Sequence, residues 1–231
     1  MIAIFPEISQ CVREGDLEML SVVVRRYFGG KAMFSPRIDM TAFADFAGIH
    51  VVRKSLDYHG AVVARDERGR FEINFILKQG LDPVAERFAI AHMLGHFFLE
   101  IQPEIAAGDF VAGGFRETVC PMQRYGRNDR KGGSPEELRA DDFAAALLLP
   151  RGMVARAVEK LIDLDKVAVF FGVSRLCLEH RMMQIGMMAD RSLTPETANQ
   201  TSSASSESQK KPGGLNRLRE IAKKLDRFAG K

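Results

Sequence analysis

The run FAIAHMLGHFFLE, residues 88–100, confines this chain more than any other segment. It is apolar on all sides, so a helix built from it has to be buried. Its polar side chains are two histidines, His92 and His96, and the closing Glu100. Histidines four residues apart share one helix face, with Cβ atoms ~5–6 Å apart. Burying this helix therefore brings two imidazoles together away from water, where they either converge on one metal ion or are satisfied by hydrogen bonds. With five histidines in the chain, the spacing alone does not choose between these outcomes.

A second segment adds the missing donor type. SPEELRADDFAAALLLP, residues 134–150, reads as a helix with Ser134 as N-cap, Pro135 at the first position and Glu137 three residues after the cap. That arrangement fits a capping box. Glu137 and Asp141 stand one turn apart on it. Two histidines and one carboxylate are an established protein ligand set for zinc with an open position, so Glu137 is a candidate third ligand or, alternatively, the closing member of the box. Asp141 is a candidate acceptor for the ring N–H of a ligating histidine, or a solvated helix residue.

The rest of the chain narrows the setting. Its 231 residues, 46% hydrophobic, suffice for one core plus appendages. With 33 basic and 30 acidic residues, the charge is too balanced for the whole surface to serve as a polyanion-binding face. Cys11, Cys120 and Cys177 lie far apart with no CxxC pair, which argues against a disulfide framework or a cysteine-rich zinc site and fits a reducing compartment. The start MIAIFPEISQ lacks the pattern of a signal peptide, and no segment reaches the roughly 18 apolar residues of a membrane span. A soluble, cytoplasmic chain is expected.

Apolar spacing predicts a first helix over residues 9–28, stopped by Gly29-Gly30. A short helix after Asp39 is expected to turn Phe43, Phe46 and Ala47 inward, and the following IHVVR is β-branched enough for a strand. Residues 61–65 and 70–77 flank the turn-like tetrad DERG as a hairpin. Asp82 as N-cap and Pro83 at the first position start the histidine helix, which runs to about Glu100. Over residues 101–135 periodicity fades and glycines accumulate, which predicts a long lid or binding loop. Helical patterns over 153–161 and 165–188 complete the folded part, expected within residues 1–190. Residues 191–214 read as a disordered linker, and residues 215–231 as a basic amphipathic helix with Leu215, Leu218, Ile221, Leu225 and Phe228 on one face.

RFAIAHMLGHFF resembles the RFTLAHELGHLL run of the ImmA/IrrE metallopeptidase family, and EELRADDFAAALLLP resembles its ExxANxFAAELLMP run, in the same order. VAVFFGVSRLCLEHRMMQIGMM is similar to the family's closing LAxxFxVSxxAxxxRLxxLGL segment, so the likeness covers roughly residues 17–188. It implies an α+β, zincin-like fold, with a small β-sheet beside a helical core. It also implies zinc held by His92, His96 and Glu137, with Asp141 hydrogen bonded to a ligating histidine. The family members typically act on helix-turn-helix transcriptional repressors. Their catalytic glutamate falls at position 93, where this chain has Met93.

In such a site zinc lowers the pKa of bound water toward ~7 and the glutamate takes the water's proton. Methionine cannot. Losing a positioned general base typically costs ~10²–10⁴ in rate, while metal binding, to which that glutamate contributes no ligand, survives. The expectation is a zinc-binding pseudopeptidase that grips a helix-turn-helix repressor, or another protein partner, without cutting it. One alternative is an active endopeptidase with an unconventional base, Glu100 or a carboxylate donated by the partner. Another is a DNA- or regulator-associated module. It would use the turn Phe171-Gly172-Val173-Ser174 with Arg175 and Arg181, or the C-terminal helix docked on an acidic partner, nucleic acid or membrane surface. Cys120, read as part of the glycine-rich connection, is a further candidate for the metal's open position.

Overall fold

The computed structural model describes residues 6–110, 114–120 and 134–188; the expected linker 191–214, the terminal helix 215–231 and residues 111–113 and 121–133 of the glycine-rich connection lie outside the described residues. The fold is α+β, with helices packed around a small mixed sheet.

The N-terminal helix expected over 9–28 is two helices, α1 (Pro6–Glu14) and α2 (Leu17–Phe28). Gly15, at φ 69°, leaves the helical region, and Asp16 restarts it by accepting a hydrogen bond from Met19 N at 2.9 Å. Helix α3 (Met40–Phe46) is capped by Asp39 as its sequence suggests. Met40, Phe43, Ala44 and Ala47 form its buried stripe, whereas Phe46 is 70% exposed. The expectation that Phe46 turns inward fails because a seven-residue helix buries a single stripe at i, i+3, i+4 and i+7, and Phe46 lies off it.

Strands β1 (Ile49–Lys54), β2 (Gly60–Glu67), β3 (Arg70–Lys78) and β4 (Phe115–Cys120) form one sheet in the order β1-β3-β2-β4. β1 runs parallel to β3, and the other pairs are antiparallel. The hairpin turn is tighter than the tetrad DERG: Asp66 and Glu67 pair with Phe71 and Arg70. Only Arg68 (φ 56°) and Gly69 (φ 84°) make the turn, as a two-residue connection with both φ values positive requires. Alternating Ile73, Phe75 and Leu77 bury one face of β3. β4 falls inside the segment expected to be a loop. As an edge strand that among the described residues pairs only with β2, it reads FRETVC, with charged residues that mask its strand signature.

Helix α4 (Pro83–His96) carries the first motif, and Phe88 through His96 are all buried. The chain does not leave the helical path there. It continues through a π-helical turn (Phe97–Ile101) into α5 (Gln102–Ala107), which ends at Gly108 in the left-handed region. After it come α6 (Pro135–Leu148), α7 (Arg151–Leu161), α8 (Leu164–Phe171) and α9 (Arg175–Gln184). The expected helix over 165–188 is thus divided: Gly172 takes φ 65°, and Ser174 caps α9 by accepting from Cys177 N at 3.1 Å. Among the described residues, no helix is long and apolar enough to cross a membrane.

The crossing of α4 over α6 sets the site. A Cβ on Gly95 would lie 2.8 Å from Ala140 Cα, 3.0 Å from Ala140 O and 3.1 Å from Ala140 Cβ, so it is the missing side chain of Gly95 that lets the two helices approach this closely. Ala140 sits between Glu137 and Asp141 in sequence, and the close approach delivers both carboxylates to the histidine face of α4. The far end of α6 is tied down by arginines. Arg25 of α2, 5% exposed, donates to Leu147 O at 2.7 Å as well as to Met33 O and Ser35 O. Burial, with a contribution from Arg87, lowers its pKa to about 10. Arg181 Nε donates to Leu149 O at 3.0 Å. Cations at carbonyls that end a helix complement its dipole.

Gly95→Ala is expected to destabilise the protein by roughly 1–3 kcal/mol through overpacking, although alanine is the better helix former by about 1 kcal/mol. A urea denaturation midpoint unchanged or raised by this substitution would contradict the close crossing.

Candidate metal centre

Helix α4 places His92 and His96 one turn apart, each 1% exposed. Their rings lie 4.7 Å apart between centroids, at 73°. The two Nε2 atoms approach to 2.9 Å. The Glu137 carboxylate closes the group, with Oε2 3.3 Å from His92 Nε2 and Oε1 3.1 Å from His96 Nε2. These three residues form a group that could hold a metal ion, their ligand atoms all within 4.8 Å of one another.

Each imidazole is held from behind. His92 Nδ1 donates to Asp141 Oδ1 at 2.7 Å, and His96 Nδ1 donates to Glu100 Oε1 at 2.8 Å. Carboxylate acceptors at Nδ1 select the tautomer whose Nε2 bears a lone pair. Two such lone pairs and a carboxylate then face one another with no donor among them, an arrangement that a cation or added protons must relieve. Ligand atoms ~2.1 Å from a tetrahedral zinc lie roughly 3.4 Å from one another. The separations of 2.9, 3.1 and 3.3 Å are close to that, so the residues present fit zinc in type, number and spacing.

Burial works to raise the Glu137 carboxyl, but once added protons on His92 and His96 relieve that arrangement, their hydrogen bonds and charge attraction outweigh it and hold the pKa at about 2. The carboxylate is therefore ionised across the range in which a ligand is needed. Ser134 does cap α6, accepting from Glu137 N at 3.3 Å, but the Glu137 side chain turns to the histidines instead of completing a capping box.

Glu100 is the residue whose part the sequence did not reveal. The alternative reading of an active endopeptidase makes it an unconventional base. The structure puts it on Nδ1 of His96, the ring nitrogen directed away from the group formed with His92 and Glu137, where it orients the imidazole. It stands four residues after His96, on the helical path that continues into the π-helical turn beginning at Phe97. Such turns are frequent at functional sites, and no composition signal announces this one. Removing a carboxylate behind a ligating histidine typically costs 10–100-fold in metal affinity. Glu100→Ala is expected to show a loss in that range by competition with a chelator, with a smaller loss for Glu100→Gln. Equal affinity in all three proteins would remove Glu100 from the site.

Met93 is fully buried. A Cβ on Gly60, at the start of β2, would lie 3.2 Å from its Sδ and 3.4 Å from its Cε, so the thioether packs into the space this glycine leaves open. Gly60 pairs with Cys120, so the backbone of β4 passes beside the site at that end. Cys120 thus belongs to a strand rather than to a loop, and its side chain lies outside the described residues.

The two arginines considered for nucleic-acid contact are committed elsewhere. Arg181 is 3% exposed and also pairs with Glu18 at 2.5 Å. Arg175 is bonded to Glu179 at 2.7 Å and Asp165 at 2.9 Å. The turn at Gly172 joins α8 to α9, with Phe171 and Val173 buried and Ser174 capping α9.

A family model described as the IrrE N-terminal-like domain, a peptidase domain, matches residues 44–183, more than half of the chain. The match contains both motif helices and the whole group of imidazoles and carboxylates. No curated protein matches.

Proposed function

This chain belongs to the ImmA/IrrE family, that of the IrrE N-terminal-like domain, and on that premise we propose that it is a zinc-binding, hydrolytically impaired member that grips a protein partner, a helix-turn-helix transcriptional repressor. The observation that carries this reading is the contrast at two adjacent residues. His92 belongs to an anchored group that could hold a metal ion, while the next side chain, at the position where the resemblance puts a general base, is a thioether sealed in the core.

His92, His96 and Glu137 would hold the zinc, which when bound supplies a Lewis acid and an acidified water. Asp141 and Glu100 keep both Nδ1 protons in place and both Nε2 lone pairs directed inward. Met93 offers no group that could take a proton. Glu100 and Asp141 do not substitute for it, because each is engaged on the side of its ring away from the other ligands. This weighs against the reading in which Glu100 serves as an unconventional base.

The reading is tested by mixing the zinc-loaded chain with purified helix-turn-helix repressors and following both complex formation and repressor length. A stable complex with intact repressor is expected. Cut fragments that disappear with His92→Ala would overturn the impaired-hydrolysis half, and absence of any complex would overturn the partner.

A further inference from the structure

We infer that the cavity enclosed by the start of α4, the start of α9 and the turn between β1 and β2 is a side-chain pocket, which receives an aliphatic or aromatic residue of an extended peptide belonging to the gripped partner. The inference rests on the peptide-gripping reading above.

The cavity measures about 220 Å³ and is lined by His59, Asp82, Ala85, Phe88, Val173 and Cys177 among others. An apolar cavity of ~150 Å³ suffices to bind benzene, so this one has room for an isobutyl or phenyl group. Its walls are apolar in fact as well as in name. Burial pushes the Cys177 thiol up to about 12, which keeps it uncharged, and Phe88 and Val173 are both buried. The polar side chains at its edge are mostly spent: Asp82 Oδ1 accepts from Val84 N and Ala85 N, and the Ser174 hydroxyl accepts from Cys177 N.

His59 is the exception. Among the described residues its imidazole has no hydrogen-bond partner. Burial first, and then Lys78, lowers its pKa, so at neutral pH the ring is uncharged and offers one donor and one acceptor. An apolar hollow with an uncommitted imidazole at its rim suits a residue whose side chain enters while its own backbone amide meets the imidazole. The pocket also adjoins the candidate metal centre. Phe88 precedes His92 by one helical turn, with the two rings 6.4 Å apart, and His59 directly precedes Gly60, against which Met93 packs.

The test uses the full chain, with its zinc content recorded, and two probes, N-acetyl-leucine methylamide and N-acetyl-glycine methylamide, titrated by NMR. The leucine probe is expected to bind at least about tenfold more tightly, the effect of burying one such side chain. It should shift the His59 ring and the Val173 methyls and give NOEs from its own methyls to Phe88. Ala85→Phe, which fills the cavity, should abolish the preference. Equal affinities, NOEs to some other surface, or a preference that survives in a folded Ala85→Phe protein would each overturn the pocket. Isobutanol matching the leucine probe would overturn the peptide assignment. A preference in a chain that carries no zinc would retain the pocket and sink the metal reading, whereas zinc without a preference would do the reverse.

Discussion

Met93→Glu, loaded with zinc, is expected to hydrolyse a susceptible peptide about 10²–10⁴ times faster than the wild-type protein, the usual contribution of positioned acid–base catalysis. The two side chains are similar in length, and the space they would occupy already exists against Gly60. The substitution carries a cost. Position 93 is fully buried, and a carboxylate there is disfavoured by desolvation unless a cation lies near. The metal-free variant is therefore expected to melt below wild type and to regain much of the difference when zinc is added, since ligand binding to the native state alone stabilises it. Zinc-bound Met93→Glu that remains inert toward every peptide tested would mean that this chain does not present a substrate to the metal. An equal rate in wild type would mean that hydrolysis never depended on this position.

His92→Ala is expected to lower the metal content from about one zinc per chain to a small fraction of that, since two remaining ligands seldom retain zinc. The damage should extend beyond the ion, because Asp141 and Glu137 each bond to the His92 ring, and its loss leaves two partly buried carboxylates with one partner fewer. Elemental analysis of protein purified without chelators measures the first effect and thermal unfolding the second. Wild-type protein without metal would leave His92, His96 and Glu137 as structural residues only. Acidification offers an independent check. Glu137 is held at about 2, so zinc released as pH falls to about 4 reports protonation of the imidazoles, since metal ligands must be deprotonated.

What the sequence determined by itself is what depends on neighbours along the chain. The four-residue spacing of His92 and His96 put both rings on one face. Asp39, Asp82 and Ser134 marked helix starts that the structure confirms by hydrogen bonds to the backbone, and period-two alternation marked β3.

The tertiary structure alone decided the rest. Whether Glu137 closes a capping box or faces two histidines depends on how closely α6 crosses α4. That distance is set where Gly95 meets Ala140, a contact between residues 45 positions apart in sequence. Phe46 and Phe43 are alike in composition, yet only one faces the core. β4 is a strand because β2 offers it an edge. Propensity and spacing are local quantities, whereas a binding site is an encounter between distant segments. Its geometry follows from the packing that brings those segments together.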